Sequence, residues 1–147
     1  MRPSNGCAPR SLSIPTSAAR VWLGRVYARA GRFPEAIAEL REAQRLSPFA
    51  EVEAALGRTY ADAGDGVEAT KVLNHLRERM RDEFVSPGYV AIILVGIGKT
   101  DEALAALAEA EVQRWYDVGY WKVDPYLDPL RSNPRFKALL KKVGLEK

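Results

Sequence analysis

Apolar side chains return through residues 17–49 at the three- and four-residue intervals of an amphipathic helix, break once, and return again. Leu23 and Tyr27 are four apart and stack on one helical face, with Gly24 beside them leaving room for a second helix to approach closely. Gly31 ends this first helix, because a residue without Cβ enters the left-handed region cheaply, and Pro34 falls where the first turn of the next helix tolerates it. Ala36, Leu40 and Ala43 set two small residues and one large one on the inner stripe of a second helix, which Pro48 stops. The stretch predicts a helical hairpin.

The pattern then recurs. Leu56, Gly57, Tyr60, Gly64, Ala69 and Leu73 reproduce it, and the turn glycines Gly31, Gly64 and Gly98 are 33 and 34 residues apart. In the second copy Leu76 replaces the small residue and no proline follows, so its second helix runs on to about Arg81 or Asp82. In the third copy Ser86 caps, Pro87 opens the helix, and Val90, Ala91 and Leu94 replace the leucine, glycine and tyrosine. Asp101 and Glu102 complement the positive end of its second helix, Ala103, Leu107 and Ala110 restore the inner stripe, and the helix should end near Trp115. Beyond it, Asp128 caps and Pro129 opens a short turn. Asn133 caps and Pro134 opens a final helix with Phe136, Leu139, Leu140 and Val143 on one stripe, which reads as a terminal cap. Trp115, Tyr116, Tyr120, Trp121 and Tyr126 are expected to fill that cap, which has few other large side chains to bury. The expected organisation is a flexible leader (1–16), repeats at 17–49, 50–83 and 84–116, and a cap at 117–147, all in a single domain.

The offsets of Leu23, Gly24, Tyr27, Gly31, Ala36, Leu40, Ala43 and Pro48 resemble those of the tetratricopeptide repeat. The resemblance implies an all-α fold, a right-handed α-α superhelix of three helical hairpins with a C-terminal capping helix, and it implies a binding scaffold. A second resemblance rests on residues 128–136, DPLRSNPRF. This segment is similar to the end of repeat regions attached to bacterial signalling proteins such as transcriptional activators, adenylate cyclases and protein kinases. It implies either the regulatory part of such a system or a free-standing adaptor.

Composition narrows the classes. A chain of 147 residues with 47% apolar content suits one soluble domain with a substantial core. The lone Cys7 has no partner for an internal disulfide, which suits a reducing compartment. The longest apolar run, residues 89–98, is about half of what a membrane-spanning helix needs, and no secretory signal is visible, so a cytoplasmic location is expected. The net charge of +3 is uneven: residues 131–147 carry six cations against Glu146, and residues 1–20 carry three arginines and no acid. The basic C-terminal helix makes nucleic-acid binding a distant alternative, although its cations read more simply as a solvated face.

No pairing of nucleophile and base, no carboxylate pair in a pocket, no metal-ligand cluster and no phosphate loop is found, so the expectation is a non-enzyme without cofactor or metal. The Gly64–Asp65–Gly66 triplet is a helix turn, since no strand precedes it, and the single histidine, His75, reads as a partly exposed helix residue. The candidate chemistry is that of recognition. In a stack of such hairpins the first helices line a concave groove. Arg25, Arg58 and Ile92 follow the packing positions Gly24, Gly57 and Ala91 into it; Trp22 and Tyr89 flank Ala54 and Ala55 as a slot with aromatic walls; Arg29 and Asp62 form a second rung. This groove suits a protein or peptide segment offering an apolar anchor and acidic groups. The positions at which some tetratricopeptide proteins clamp a chaperone's terminal carboxylate are here Val21, Arg25, Ala55, Val85 and Tyr89, so such tails are not the expected ligand. Homo-oligomerisation is the alternative.

Overall fold

The computed structural model describes residues 16–144; residues 1–15 of the expected leader, with Cys7, lie outside them, and its last residue, Thr16, begins the first helix. Six helices form three antiparallel hairpins: α1 (Thr16–Arg29) with α2 (Phe33–Leu46), α3 (Ala50–Asp62) with α4 (Gly66–Asp82), and α5 (Pro87–Gly96) with α6 (Thr100–Val112). Two 3-10 turns, Tyr116–Tyr120 and Pro125–Leu130, lead into the closing helix α7 (Pro134–Lys142). The described residues are all-α, and the hairpins stack into a tetratricopeptide-type solenoid in which α3 contacts both α1 and α5.

Each hairpin turns in the same way. Gly31, Gly64 and Gly98 hold φ of 78°, 87° and 84°. The residue after each glycine donates its N–H back to the carbonyl of Tyr27, Tyr60 or Leu94, at 2.9 Å in all three. This closes the helix end with a left-handed residue. The close approach expected at Gly24 and Gly57 is present: a Cβ at residue 24 would lie 2.7 Å from Leu40 Cγ, and one at residue 57 would lie 2.6 Å from Ile93 Cδ1. Ala36, Leu40, Ala43, Ala69, Leu73, Ala103, Leu107 and Ala110 form the buried inner stripes, and Leu76 joins them on a helix that reaches Asp82.

Helix α5 is apolar on every side and is buried from Pro87 to Val95. A helix without a polar face belongs in the interior. It packs on α3, α4, α6 and the second 3-10 turn. Among the described residues no helix is long and apolar enough to cross a membrane.

The C-terminal region differs from expectation in three places. Helix α6 ends at Val112 rather than near Trp115, and Arg114, at φ 59°, makes a left-handed turn where α2 and α4 end on the extended residues Ser47 and Glu83. The short turn is capped by Asp124, whose side chain accepts from Tyr126 N at 2.9 Å, and opened by Pro125; Asp128 instead accepts from Arg131 Nε at 3.2 Å. Of the aromatic residues assigned to the cap interior, Trp121 is buried, Trp115 and Tyr126 are half-buried, and Tyr120 is exposed. Asn133 does cap α7, accepting from Arg135 N at 2.8 Å, and Phe136 and Leu140 are buried beneath it.

Candidate functional site

Because α1, α3 and α5 stand side by side, their groove-facing residues form one floor, and the cap folds back to supply the opposite wall. The result is a cleft of about 590 Å³. Helix α1 contributes Val21, Trp22 and Arg25; α3 contributes Glu51, Ala54 and Ala55; α5 contributes Gly88, Tyr89 and Ile92. Tyr120, Val123, Asp124, Pro125 and Tyr126 close the far side. The small residues on α3 give the cleft its depth, and the rings of Trp22, Tyr89 and Tyr120 stand around it. Trp22 is 70% exposed, the state of a ring available for contact.

Four of the residues expected in the groove, Trp22, Arg25, Tyr89 and Ile92, line this cleft; Arg29, Arg58 and Asp62 do not. Arg58 requires a correction. Expected to face a ligand, it is only 7% exposed and donates to the backbone carbonyls of Tyr126 and, at 3.4 Å, Ile92. Its Nε pairs with Asp62 Oδ1 at 3.0 Å, so Asp62 serves Arg58 and forms no rung with Arg29. Gly96 makes this route possible, since a Cβ there would stand 2.6 Å from Arg58 Cδ. Arg29 lies on an exposed part of α1 and has no ion-pair partner among the described residues. Arg25 stays in the cleft, with its guanidinium 4.6 Å from the centre of the Tyr126 ring and 4.0 Å from Asp124 Oδ1. Beside them the Tyr126 hydroxyl is buried without a hydrogen-bond partner, and burial pushes its pKa up to about 12 against the pull of Arg25.

Residues 11–51 match the tetratricopeptide repeat family. The matched span covers the first hairpin, and the two that follow repeat its turn geometry within the same chain. No curated protein and no solved structure matches the chain. In a tetratricopeptide stack the cleft lies on the side lined by the first helices of each hairpin, here α1, α3 and α5.

Sequence reasoning missed two features. The cap wall, Tyr120 to Tyr126, comes from a segment far along the chain, and no local spacing announces that it reaches α1. The other is Glu53, a carboxylate buried at the α3–α4 contact, with Oε1 3.0 Å from His75 Nδ1 and 3.3 Å from Arg79 Nη1. His75 is thereby tied to α3, although its side chain is largely exposed. No group of three or more potential metal ligands occurs among the described residues.

Proposed function

We propose that the protein is a non-catalytic scaffold that binds a segment of a partner protein in this cleft, inserting an apolar side chain between Trp22 and Tyr89 with Arg25 at its edge. Tetratricopeptide repeats mediate protein–protein interaction, which supports the class. The observation that carries the reading is the cleft itself: about 590 Å³, floored by small residues, walled by aromatics, with an exposed tryptophan at its mouth. The likeness of residues 128–136 to the ends of repeat regions in bacterial signalling proteins supports a regulatory or adaptor role.

The test is selection of peptides from a displayed random library on the wild-type chain, followed by titration of the selected peptides. Trp22→Ala should weaken them by at least about tenfold, roughly 1.4 kcal/mol, while leaving the helical circular dichroism unchanged. Peptides that bind Trp22→Ala as they bind the wild type would place the binding surface elsewhere.

Self-association is the second reading, and one observation favours it. Leu23 and Val26 are exposed on the first hairpin, whereas their counterparts Leu56 and Thr59, and Val90 and Ile93, are buried. Light scattering across a concentration series decides it: a dimer that Leu23→Lys returns to monomer supports this reading, and a monomer throughout removes it.

A further inference from the structure

The charge left free in the cleft differs from the one expected there. Arg58 is committed to Asp62 and the Tyr126 carbonyl, and Arg25 lies between the Tyr126 ring and Asp124. Glu51, on the first turn of α3, is exposed and has no ion-pair partner among the described residues. It also stands at a junction. A second hollow of about 280 Å³ lies on its other side, and Glu51 and Tyr89 line both.

The second hollow is rimmed by Phe49 and Phe84, from the loops that join α2 to α3 and α4 to α5. Phe84 is 98% exposed and Phe49 is 66% exposed. Large rings left in water around one hollow mark a contact surface. Its own charged residues, Arg79 and Glu83, pair with each other at 2.9 Å, and Arg79 also holds Glu53. Across the two hollows the carboxylates of Glu51, Asp124 and Glu83 outnumber the cations of Arg25 and Arg79. An acidic ligand group would meet like charge there, and a basic one would meet Glu51.

We infer that the two hollows form one bipartite surface for an extended partner segment with two apolar anchors and a lysine or arginine between them, the anchors seated at Trp22–Tyr89 and Phe49–Phe84 and the base over Glu51. The inference rests on the cleft reading above and replaces the acidic ligand expected from sequence with a basic one. Opposite charge across a contact selects among partners and disfavours the wrong sign.

The experiment uses synthetic peptides with two phenylalanines separated by about four to eight residues, enough to span neighbouring hollows at about 3.3 Å per residue, with Lys, Gln or Glu at the centre. Binding to the full chain is read by fluorescence anisotropy. Lysine-centred peptides should bind about tenfold more tightly than glutamate-centred ones, and Glu51→Lys should reverse that order. Phe84→Ser should reduce two-anchor peptides to the affinity of one-anchor controls without moving the melting temperature, because its ring packs on little. Equal binding of the two charge types, or indifference to Phe84→Ser, overturns the inference; if those same peptides still lose affinity with Trp22→Ala, the cleft reading survives. Failure of every peptide to bind overturns the inference as well. Concentration-dependent self-association abolished by Phe84→Ser would assign the surface to a second copy of the chain and equally overturn it.

Discussion

Gly57→Ala tests the packing that holds the hairpins in register. In an unhindered helix interior the change would stabilise the chain by about 1 kcal/mol through helix propensity. Here the new methyl carbon would stand 2.6 Å from Ile93 Cδ1, 2.9 Å from Ile93 Cγ1 and 3.1 Å from Val72 Cγ1. Comfortable carbon–carbon contacts lie at about 3.5–4.0 Å, and Ile93 is fully buried with no solvent to swing into. Overpacking of this kind costs about 1–3 kcal/mol, so the net expectation is a loss of about 1 kcal/mol, a fall in melting temperature of about 3–6 °C. Gly66→Ala supplies the control, since nothing lies within 4 Å of a Cβ there. It should leave the melting temperature unchanged or raise it. Ile93→Val removes the nearest clashing atom and alone costs about 0.5–1.5 kcal/mol. Combined with Gly57→Ala it should cost less than the sum, with a coupling of at least about 0.5 kcal/mol. Urea denaturation followed by circular dichroism measures all four. A Gly57→Ala variant at least as stable as the wild type, or strict additivity with Ile93→Val, would refute the close-contact argument.

Three further expectations follow from individual residues. Arg58→Met keeps an apolar stem across Gly96 but deprives the Tyr126 and Ile92 carbonyls of their donor and strands Asp62, so it should destabilise by about 2–3 kcal/mol; a loss under about 0.5 kcal/mol by the same urea assay would show that Arg58 does not tie the cap to the stack. Arg114→Gly relieves a left-handed residue at φ 59° and should raise stability by about 0.5–1 kcal/mol, whereas an unchanged or lower melting temperature would deny that the backbone there is strained. The Tyr126 phenol, raised to about 12, holds its proton in the folded chain between about pH 10 and 12 while the unfolded chain loses it; stability should therefore fall as pH rises through that window, Tyr126→Phe should flatten the fall, and one phenol should titrate near pH 12 in the ultraviolet spectrum.

What the sequence made legible is what local spacing determines. Leu23, Gly24 and Tyr27 meet their neighbours through helical periodicity, and Gly31, Gly64 and Gly98 form turns in a left-handed conformation that glycine adopts without steric cost, so three hairpins could be read directly. Where two local signals compete, reading stops. Asp124–Pro125 and Asp128–Pro129 are both cap-and-proline pairs four residues apart, and only the second was read as the cap; folding gives that role to the first because Arg131 engages Asp128 from the other side. The end of α6 was misjudged because it has no glycine, and Arg114 takes the left-handed turn. Arg58 was misread for a different reason. Its position after Gly57 does direct it towards the groove side, but the segment that covers it arrives 68 residues later in the chain. Trp22, Tyr89, Ala54 and Ala55 line one cleft because equivalent offsets in successive hairpins share a face; Glu51, Phe49 and Phe84 lie at a helix start and in linkers, where the repeat spacing carries no signal.

The cap also decides what the charge of the chain is used for. Arg131 Nη1 donates to the Trp121 carbonyl and Nη2 to the Asp124 carbonyl, both at 2.8 Å, while its guanidinium lies 5.6 Å from the centre of the Phe136 ring. One side chain thus fixes the loop whose residues 123–126 wall the cleft, and it is the arginine of the DPLRSNPRF segment. Arg135 pairs with Asp101 at 3.1 Å and Lys142 with Glu111 at 3.3 Å, both across to α6. Arg135, Lys137, Lys141 and Lys142 form the solvated face read from sequence, and two of them, Arg135 and Lys142, also bridge from the cap to the last hairpin. Exposed pairs of this kind are worth little individually, and the exposed Lys137 and Lys141 have no ion-pair partner among the described residues. The same economy operates in the groove, where Arg58 and Arg25 are drawn onto Asp62, Tyr126 and Asp124. With Arg58 and Arg25 engaged internally, the cleft presents apolar walls and the Glu51 carboxylate, the two features from which the bipartite surface is inferred.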